Sequence, residues 1–253
     1  MIEQTFGSLF AGIGGIDLGL ERAGWKCKWQ VENDPYCVKI LEKHWPNVKR
    51  YGDIKIVTEL ENVDLICGGF PCQPISIAGK RKGTKDERWL WPEFARIIRV
   101  VQPRYVLVEN VPGILNVNQG RAMGEVLGDL AESGYDAEWN MLSASMFGGS
   151  HCRKRIFIVA YSNRNRIQRC GNSEVFSYDR QRWKNGEKTM PSWPEIWNLT
   201  RIRAGEGEPL ISGVDHGSPH WLDRTRLLGN AVVPQIIEWI GRRILELEGR
   251  NYP

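Results

Sequence analysis

The 253-residue chain contains no run of 18 apolar residues, so no membrane-spanning helix is expected from it. Its first stretch, Met1 to Leu20, lacks a basic cluster ahead of an apolar segment, and Asp17 and several glycines interrupt it. That reads as mature protein and not as a secretory leader. No internal repeat and no low-complexity tract occurs. Cysteine is sparse: positions 27, 37, 67, 72, 152 and 170. Nothing points to secretion, and a chain of this length needs no staples, so reduced thiols in a cytosolic protein are expected. What is present is ordinary for a globular protein: 42% hydrophobic, 10% aromatic and 25% charged residues. The length suffices for one large domain, or one domain with a small appendage, around a full core.

The net charge is only +4, but it is unevenly spread. Residues 1–161 hold 20 Lys/Arg against 19 Asp/Glu, residues 162–203 hold 9 against 4, and residues 204–253 hold 5 against 7. The positive excess lies in one segment, which is the footprint of a polyanion partner or of a solvated basic loop.

The first two thirds alternate strand-like and helix-like patterns. Gln4 to Phe10 reads as a strand, and Ile13, Ile16, Leu20 and Ala23 then recur at helical spacing. Cys27, Trp29 and Val31 alternate as a second strand, and Asp34-Pro35 supplies a cap and first residue for a helix through His44. Strands are also expected over Val63–Cys67, Tyr105–Val108 and Arg155–Ala160. Helices are expected on the faces Phe94, Ile97, Ile98, Val101 and Met123, Val126, Leu127, Leu130. This alternation predicts an α/β fold with a mainly parallel sheet. From Ser162 the pattern turns polar and basic, with Trp183, Trp193 and Trp197 interleaved, until Val233, Ile236, Ile237, Ile240, Ile244 and Leu247 mark a final amphipathic helix. The expected division is a main domain over 1–161 and 225–253, interrupted by a small basic region over 162–224.

Four motifs carry chemistry. In Phe10-Ala11-Gly12-Ile13-Gly14-Gly15, the glycines let a ligand approach the backbone and leave helix N–H groups open. Glu32 follows at the end of the second strand, where a carboxylate accepts from ribose hydroxyls. The dinucleotide pattern Gly-x-Gly-x-x-Gly is not met, because Asp17 stands at the third glycine position. An adenosine without a pyrophosphate fits better, and a tight turn with no ligand is the bland alternative. Next, Gly68-Gly69-Phe70-Pro71-Cys72-Gln73-Pro74 puts a cysteine at a strand's carboxyl end, where open sheets keep their crevices. A thiolate there is a strong nucleophile. A zinc set of Cys67, Cys72, His151 and Cys152 is a poor alternative, since the Cys-x4-Cys spacing is loose and adjacent His-Cys suits one ion badly. No metal is expected. Glu109, in Val108-Glu109-Asn110-Val111, again ends a strand and suits proton exchange with a ring nitrogen. Finally, Arg153 and Arg155 alternate at the start of a strand, so both guanidinium groups are expected on one face.

Together and in this order, these motifs resemble those of the cytosine-5 DNA methyltransferases of bacteria and phages. Phe-Ala-Gly-Ile-Gly-Gly resembles the family's first motif, Gly-Phe-Pro-Cys-Gln-Pro its nucleophile motif and Glu-Asn-Val its glutamate motif. Arg153-x-Arg155 resembles its Gln-x-Arg-x-Arg, and Gly229-Asn230-Ala231-Val232-Val233-Pro234 its last motif. The match covers 1–161 and about 225–240. His151 stands where the family has Gln, the segment before Gly229 has no Arg-x-x-Arg-Leu-Gln-type motif, and the recognition region is short.

The resemblance implies a Rossmann-like S-adenosylmethionine-dependent methyltransferase sheet with a small inserted target-recognition region over 162–224. It implies methyl transfer to carbon 5 of cytosine through a covalent cysteine adduct on a flipped base, with Cys72, Glu109, Arg153 and Arg155 catalytic. It implies an S-adenosylmethionine site built from Phe10, Gly12, Ile13, Gly14, Gly15, Glu32, Asp53, Ile54, Pro71, Leu90, Asn230 and Val232. The loop after Cys72, with Lys80, Arg81, Lys82, Lys85 and Arg88, suits a closing lid pivoting at Gly79 and Gly83. Implied partners are double-stranded DNA and a cognate restriction endonuclease in the host, with no membrane partner; the enzyme would act as a monomer in the cytoplasm. The rival readings are an RNA substrate, a silent DNA-binding relic and a dinucleotide oxidoreductase. The joint presence of Cys72, Glu109 and Arg155 weighs against the relic, and Asp17 against the oxidoreductase.

Overall fold

Short apolar runs bounded by turn residues form strands buried on both faces, and such strands need helices on either side. The computed structural model describes residues 3–71, 89–149, 151–163, 175–176 and 232–248. In chain order it contains β1 (Thr5–Leu9), α1 (Gly15–Arg22), β2 (Lys26–Val31), α2 (Pro35–His44) and β3 (Lys49–Tyr51). There follow β4 (Leu65–Gly68), α3 (Trp91–Val101), β5 (Tyr105–Asn110), α4 (Arg121–Glu132), β6 (Tyr135–Ser143) and β7 (Lys154–Ser162). A last helix, here α5, spans Pro234–Leu247. The capping expected at Asp34 is present: its carboxylate accepts from the Tyr36 and Cys37 N–H groups at 2.9 and 3.2 Å, with Pro35 in the first turn.

The strands form one seven-stranded sheet in the order β3-β2-β1-β4-β5-β7-β6. β1 runs parallel to β2 and β4, β2 to β3, and β4 to β5. β7 is antiparallel to both of its neighbours. The expected α/β class and every expected strand and helix are therefore present. Two strands were not expected. β3 is a three-residue edge strand, and β6 is an edge strand whose middle is exposed on both faces apart from the half-buried Glu138.

Helices α3 and α4 cover one face of the sheet, packing Trp91, Phe94, Ile97, Ile98 and Val126 against Ile66, Val106, Val108, Ile156 and Ile158. Helices α1 and α5 cover the other, packing Ile16, Leu20, Ile237, Ile240 and Ile244 against Phe6, Leu65, Leu107, Phe157 and Val159. The two helices meet backbone to backbone. A Cβ on Gly19 would lie 2.5 Å from Ile237 Cβ, and one on Gly241 would lie 2.8 Å from Ala23 Cβ. The Trp25 indole N–H donates to the Gly241 carbonyl at 3.2 Å across the same seam. The final helix thus returns to the main sheet.

β7 continues through Ser162, and the Asn163 N–H donates to the Gly134 carbonyl at 2.9 Å. Within the basic segment, Val175 and Phe176 belong to the packed α1/α5 face. Their N–H groups donate to the Glu138 carboxylate of β6 at 2.8 and 3.3 Å, and the Phe176 ring lies 6.4 Å from that of Trp239 on α5. The segment is tied to the sheet at that point.

The α1–α5 seam has no room for a methyl group. Gly241→Ala is expected to destabilise the fold by about 1–3 kcal/mol, as overpacking does. Urea unfolding checks this: the midpoint should fall with the slope unchanged, and an unmoved midpoint would contradict the packing.

Candidate active site

Strand order reverses at β1, since the chain adds β2 and β3 on one side of it and β4 and β5 on the other. Open parallel sheets bind ligands in the crevice outside the carboxyl ends at such a point. β7 runs the other way, so its amino end, preceded by Arg153, reaches the same edge as the carboxyl end of β5.

One half of this edge is built by the first turn. Phe10 leaves β1 in the left-handed region (φ 53°), and its ring stacks on Phe94 of α3 with centroids 6.3 Å apart. Gly12 follows at φ 57°, and a Cβ placed on it would meet nothing nearer than 4.0 Å. The backbone is bare there, as a close-lying ligand requires. The Gly12 N–H donates to Glu32 Oε2 at 2.7 Å, and the Asp34 N–H donates to Glu32 Oε1 at 2.8 Å. Each carboxylate oxygen has a second lone pair, so Glu32 joins the ends of β1 and β2 and can still accept from a hydroxyl. Ile13 is partly exposed beside Gly12, and Gly14 caps α1 in the left-handed region. A Cβ on Gly15 would lie 2.8 Å from the Val232 carbonyl oxygen, so the first and last motifs meet here.

Asp53 is partly exposed and caps a 3-10 turn over Ile54–Ile56, accepting from the Lys55 N–H at 3.0 Å. That turn is clamped by Arg96 of α3, which donates to the carbonyls of Ile54 and Val57 at 2.7 and 2.9 Å and to Glu93 at 2.7 Å. Ile54, expected at the cofactor, lies in the core with 3% of its surface exposed.

The other half is built by the ends of β4 and β5. A Cβ on Gly69 would lie 2.7 Å from Glu109 Oε2, and the Asn110 amide donates to the Phe70 carbonyl at 3.4 Å. The loop leaving β4 is thus laid against the end of β5. Phe70 meets the rings of Trp89 and Trp91 at 5.2 and 5.5 Å, and Trp91 stacks on Phe94 at 5.5 Å. An aromatic row therefore runs from the loop after β4 to Phe10. Trp89 and Trp91 are core residues, their indole N–H groups bonded to Glu125 and Asp129 of α4 at 2.9 and 2.7 Å. Pro71 and Leu90 are partly exposed. Cys72 and Asn230, and the basic residues of the expected lid, lie outside the described residues.

Glu109 is 8% exposed. Its Oε1 lies 2.9 Å from the Nε of Arg155. Across β5 and β7, Glu109 pairs with Phe157, so Arg155, two residues before Phe157, shares the face of Glu109. Burial pushes the Glu109 carboxyl up to about 7, against the opposing pull of Arg155 and then Arg153. A carboxyl that carries a proton near neutrality can donate a hydrogen bond to a ring nitrogen. Both arginines act on Glu109 as the alternation predicted. His151 and Cys152 are exposed, and Cys67, considered above as a zinc ligand, is fully buried with its thiol 3.6 Å from the Gly7 carbonyl. Among the described residues, no cluster of three His, Cys, Asp or Glu side chains is placed to hold a metal ion.

The family model for C-5 cytosine-specific DNA methylases matches residues 4–205. The chain belongs to that family. A curated relative, the type II methyltransferase M.HgiCII of Herpetosiphon aurantiacus, is 36% identical over 163 residues, which is 63% of this chain and 37% of the relative. A second, M2.BsuMI of Bacillus subtilis, is 28% identical over 304 aligned positions, covering 96% of this chain and 75% of the relative. This methylase-family chain thus spans well under half of the first relative's length. Its fold resembles the crystal structure of an E. coli prophage-encoded protein described as a DNA modification methyltransferase, with TM-score 0.69 over 98% of this chain and 100% of that one, at 18% identity.

Sequence reasoning overlooked Phe94 as the ring beneath Phe10, Arg96 as the clamp on the Asp53 turn, and Asn110 as the tie to the loop after β4. Only Asn110 carried a signal, its place in the Glu-Asn-Val motif.

Arg155 holds the Glu109 carboxyl below the value burial alone would give. Arg155→Ala is therefore expected to raise it above about 7. Carboxyl 13C titration by NMR checks this, and an unchanged or lowered value would contradict the ion pair.

Proposed function

We propose that the chain transfers a methyl group from S-adenosylmethionine to carbon 5 of cytosine in DNA, through a covalent adduct with Cys72 on a flipped base. The observation that carries this reading is the buried Glu109–Arg155 pair at the sheet edge where the Gly69–Pro71 loop begins. A pyrimidine ring needs three things here: a nucleophile for carbon 6, a proton for N3 and a cation for O2. The loop, Glu109 and Arg155 are suited to supply them.

In this mechanism the Cys72 thiolate adds to carbon 6 as Glu109 hydrogen-bonds to N3 and the exocyclic amine, moving the ring's electron pair toward carbon 5. Arg155, with Arg153, binds O2 and steadies the charge that develops on it. When bound, S-adenosylmethionine supplies an electrophilic methyl group for that carbon. A base then removes the carbon 5 proton, carbon 6 releases the Cys72 sulfur, and the aromatic ring is restored. Arg155 also keeps Glu109 responsive: it opposes a burial effect that would otherwise hold the proton too firmly.

The residues present fit the cofactor. The bare backbone at Gly12 and the ring of Phe10 suit an adenosine, and Glu32 has acceptor capacity for ribose hydroxyls. Asp53 suits the adenine amine, and Ile13, Pro71, Leu90, Asn230 and Val232 complete the proposed site. Carbon 5 is inaccessible in a stacked duplex, so the base must turn out, at a cost of a few kcal/mol. The basic residues of 162–224 and of the loop after Cys72 would contact phosphates and make binding salt-dependent. The protein would act as a monomer in the cytoplasm of a bacterial or phage-infected cell, alongside a restriction endonuclease of the same target.

Two measurements test this. Cys72→Ser is expected to abolish transfer of tritiated methyl to duplex DNA while leaving S-adenosylmethionine binding near normal; robust methylation by that variant would exclude the nucleophile. Glu32→Ala is expected to weaken S-adenosylmethionine binding by about 10- to 100-fold, the loss of charge-assisted hydrogen bonds. Unchanged affinity by calorimetry would exclude the ribose role. Label that enters transfer RNA and not duplex DNA would move the substrate to RNA.

A further inference from the structure

Asp17 is the residue that breaks the dinucleotide pattern, and the proposed mechanism does not use it. It lies in the first turn of α1, fully buried. Its Oδ2 accepts from the Ser8 hydroxyl of β1 at 3.0 Å, and its Oδ1 from the Gln30 amide of β2 at 2.8 Å. The Cys27 thiol of β2 lies 3.8 Å from Oδ1. One carboxylate thus gathers donors from two strands onto a helix.

We propose that Asp17 is a positioning residue for the cofactor site, its carboxylate holding β1, β2 and α1 in the register that sets the Phe10–Gly15 turn against Glu32. The inference rests on the reading of this edge as the S-adenosylmethionine site. Each partner stands two residues from a group of that site: Ser8 before Phe10, Gln30 before Glu32 and Asp17 after Gly15. The Gly12–Glu32 bond ties the same strand ends from above, so the turn is fixed at two levels.

A carboxylate is a costly choice for this place. Burying one disfavours its charged form, and a small apolar side chain would fill the space without that cost. Burial pushes the Asp17 carboxyl up to about 6 from 3.8. A folded-state value above the unfolded one means that the folded chain binds the proton more tightly. Stability is therefore greatest with Asp17 protonated and falls as pH rises from about 3.8 to about 6. Above that range the ionised carboxylate is kept at the expense of stability, as functional groups are.

The ionised form only accepts hydrogen bonds, and all its partners donate. Protonation removes the charge that strengthens both bonds, and on Oδ1 it would set a donor against the Gln30 amide N–H, which cannot accept, although the Ser8 hydroxyl at Oδ2 can turn to accept. Of the groups facing Asp17, the Glu21 carboxyl is itself pushed up by burial, so the Asp17→Asn comparison separates the two. Glu21 on α1 reinforces the upward shift, and burial holds the thiols of Cys27 on β2 and Cys67 on β4 above their ordinary range. α5 brings Pro234, Ile237 and Gly241 to the neighbouring face of α1, none of them charged. In the first turn of α1 the carboxylate also offsets the helix's positive end. That end would otherwise attract a pyrophosphate, so the arrangement suits a ligand without one.

The test is calorimetric binding of S-adenosylmethionine to the full chain without DNA, from pH 5 to 8, for wild type, Asp17→Asn and Ser8→Ala. Glu109 also changes charge in this range, near 7, so the pH dependence assigned to Asp17 is the part that Asp17→Asn loses. Urea midpoints at each pH report folding separately. Wild-type affinity is expected to fall several-fold as pH drops through about 6. Asp17→Asn, which removes a buried charge, should keep or raise the urea midpoint at pH 7.5, bind about tenfold more weakly there and lose the pH dependence. Its KM for S-adenosylmethionine should rise with kcat retained, and Ser8→Ala should move binding in the same direction. An Asp17→Asn protein with wild-type affinity and pH profile would overturn the inference and leave the cofactor reading intact. A wild type that binds no S-adenosylmethionine at any pH would overturn the cofactor reading, and this inference with it.

Discussion

The candidate site depends on the hydrogen-bond register between β5 and β7. Facing residues of an antiparallel pair project to one side, and a slip of one residue sends every side chain to the other. With Glu109 opposite Phe157, Arg155 falls on the carboxyl's side and meets it at 2.9 Å. One residue of slip would turn Arg155 onto the α3/α4 face, together with Phe157 and Val159, and leave Glu109 buried without its cation. The apolar content of β7 prevents this. Phe157 and Val159 fill one core and Ile156, Ile158 and Ala160 the other, so a slip would force the Phe157 ring out of one core and into the other.

The sheet edge collects its chemistry by direction as well as by register. Parallel strands bring Phe10, Glu32 and the Gly69–Pro71 loop to one side of the molecule. The reversed β7 then brings an amino end to that side, so a basic run preceding a strand lands beside a carboxyl that ends one. The aromatic row from Phe70 through Trp91 and Phe94 to Phe10 joins the two halves below the surface. Packed rings move little, so the turn and the loop share a common floor.

Most of the fold was legible because parallel strands buried on both faces write themselves as apolar runs. β1, β2, β4, β5 and β7 are of that kind, and the helices beside them repeat at their own period. β3 and β6 were not legible for the opposite reason. Lys49–Tyr51 is short and half exposed, and the middle of β6 is exposed at Asp136, Ala137, Trp139, Asn140 and Met141. Val175 and Phe176 were hidden among basic residues, because only tertiary contact with Trp239 and Glu138 distinguishes them. In the candidate site, strand-end positions are what drew Glu32, Glu109 and the arginine pair from the sequence as candidates. The raised carboxyl of Glu109 and the clamp by Arg96 were beyond sequence, since both arise from desolvation and from contacts between distant segments.

The closing of α5 onto α1 has a consequence for how the protein is born. On the ribosome the chain emerges from its beginning, and the sheet strands through Ser162 are all made before Pro234 appears. At roughly 5–20 residues per second, the face carrying Ile16, Leu20 and Gly19 waits roughly 10–40 s for its cover. During that interval an apolar helix face stands bare in the nascent polypeptide, and a chaperone or a neighbouring chain competes for it. The methylase core is therefore finished from its far end, and any shortened product that stops before Pro234 leaves the same face open for its whole lifetime.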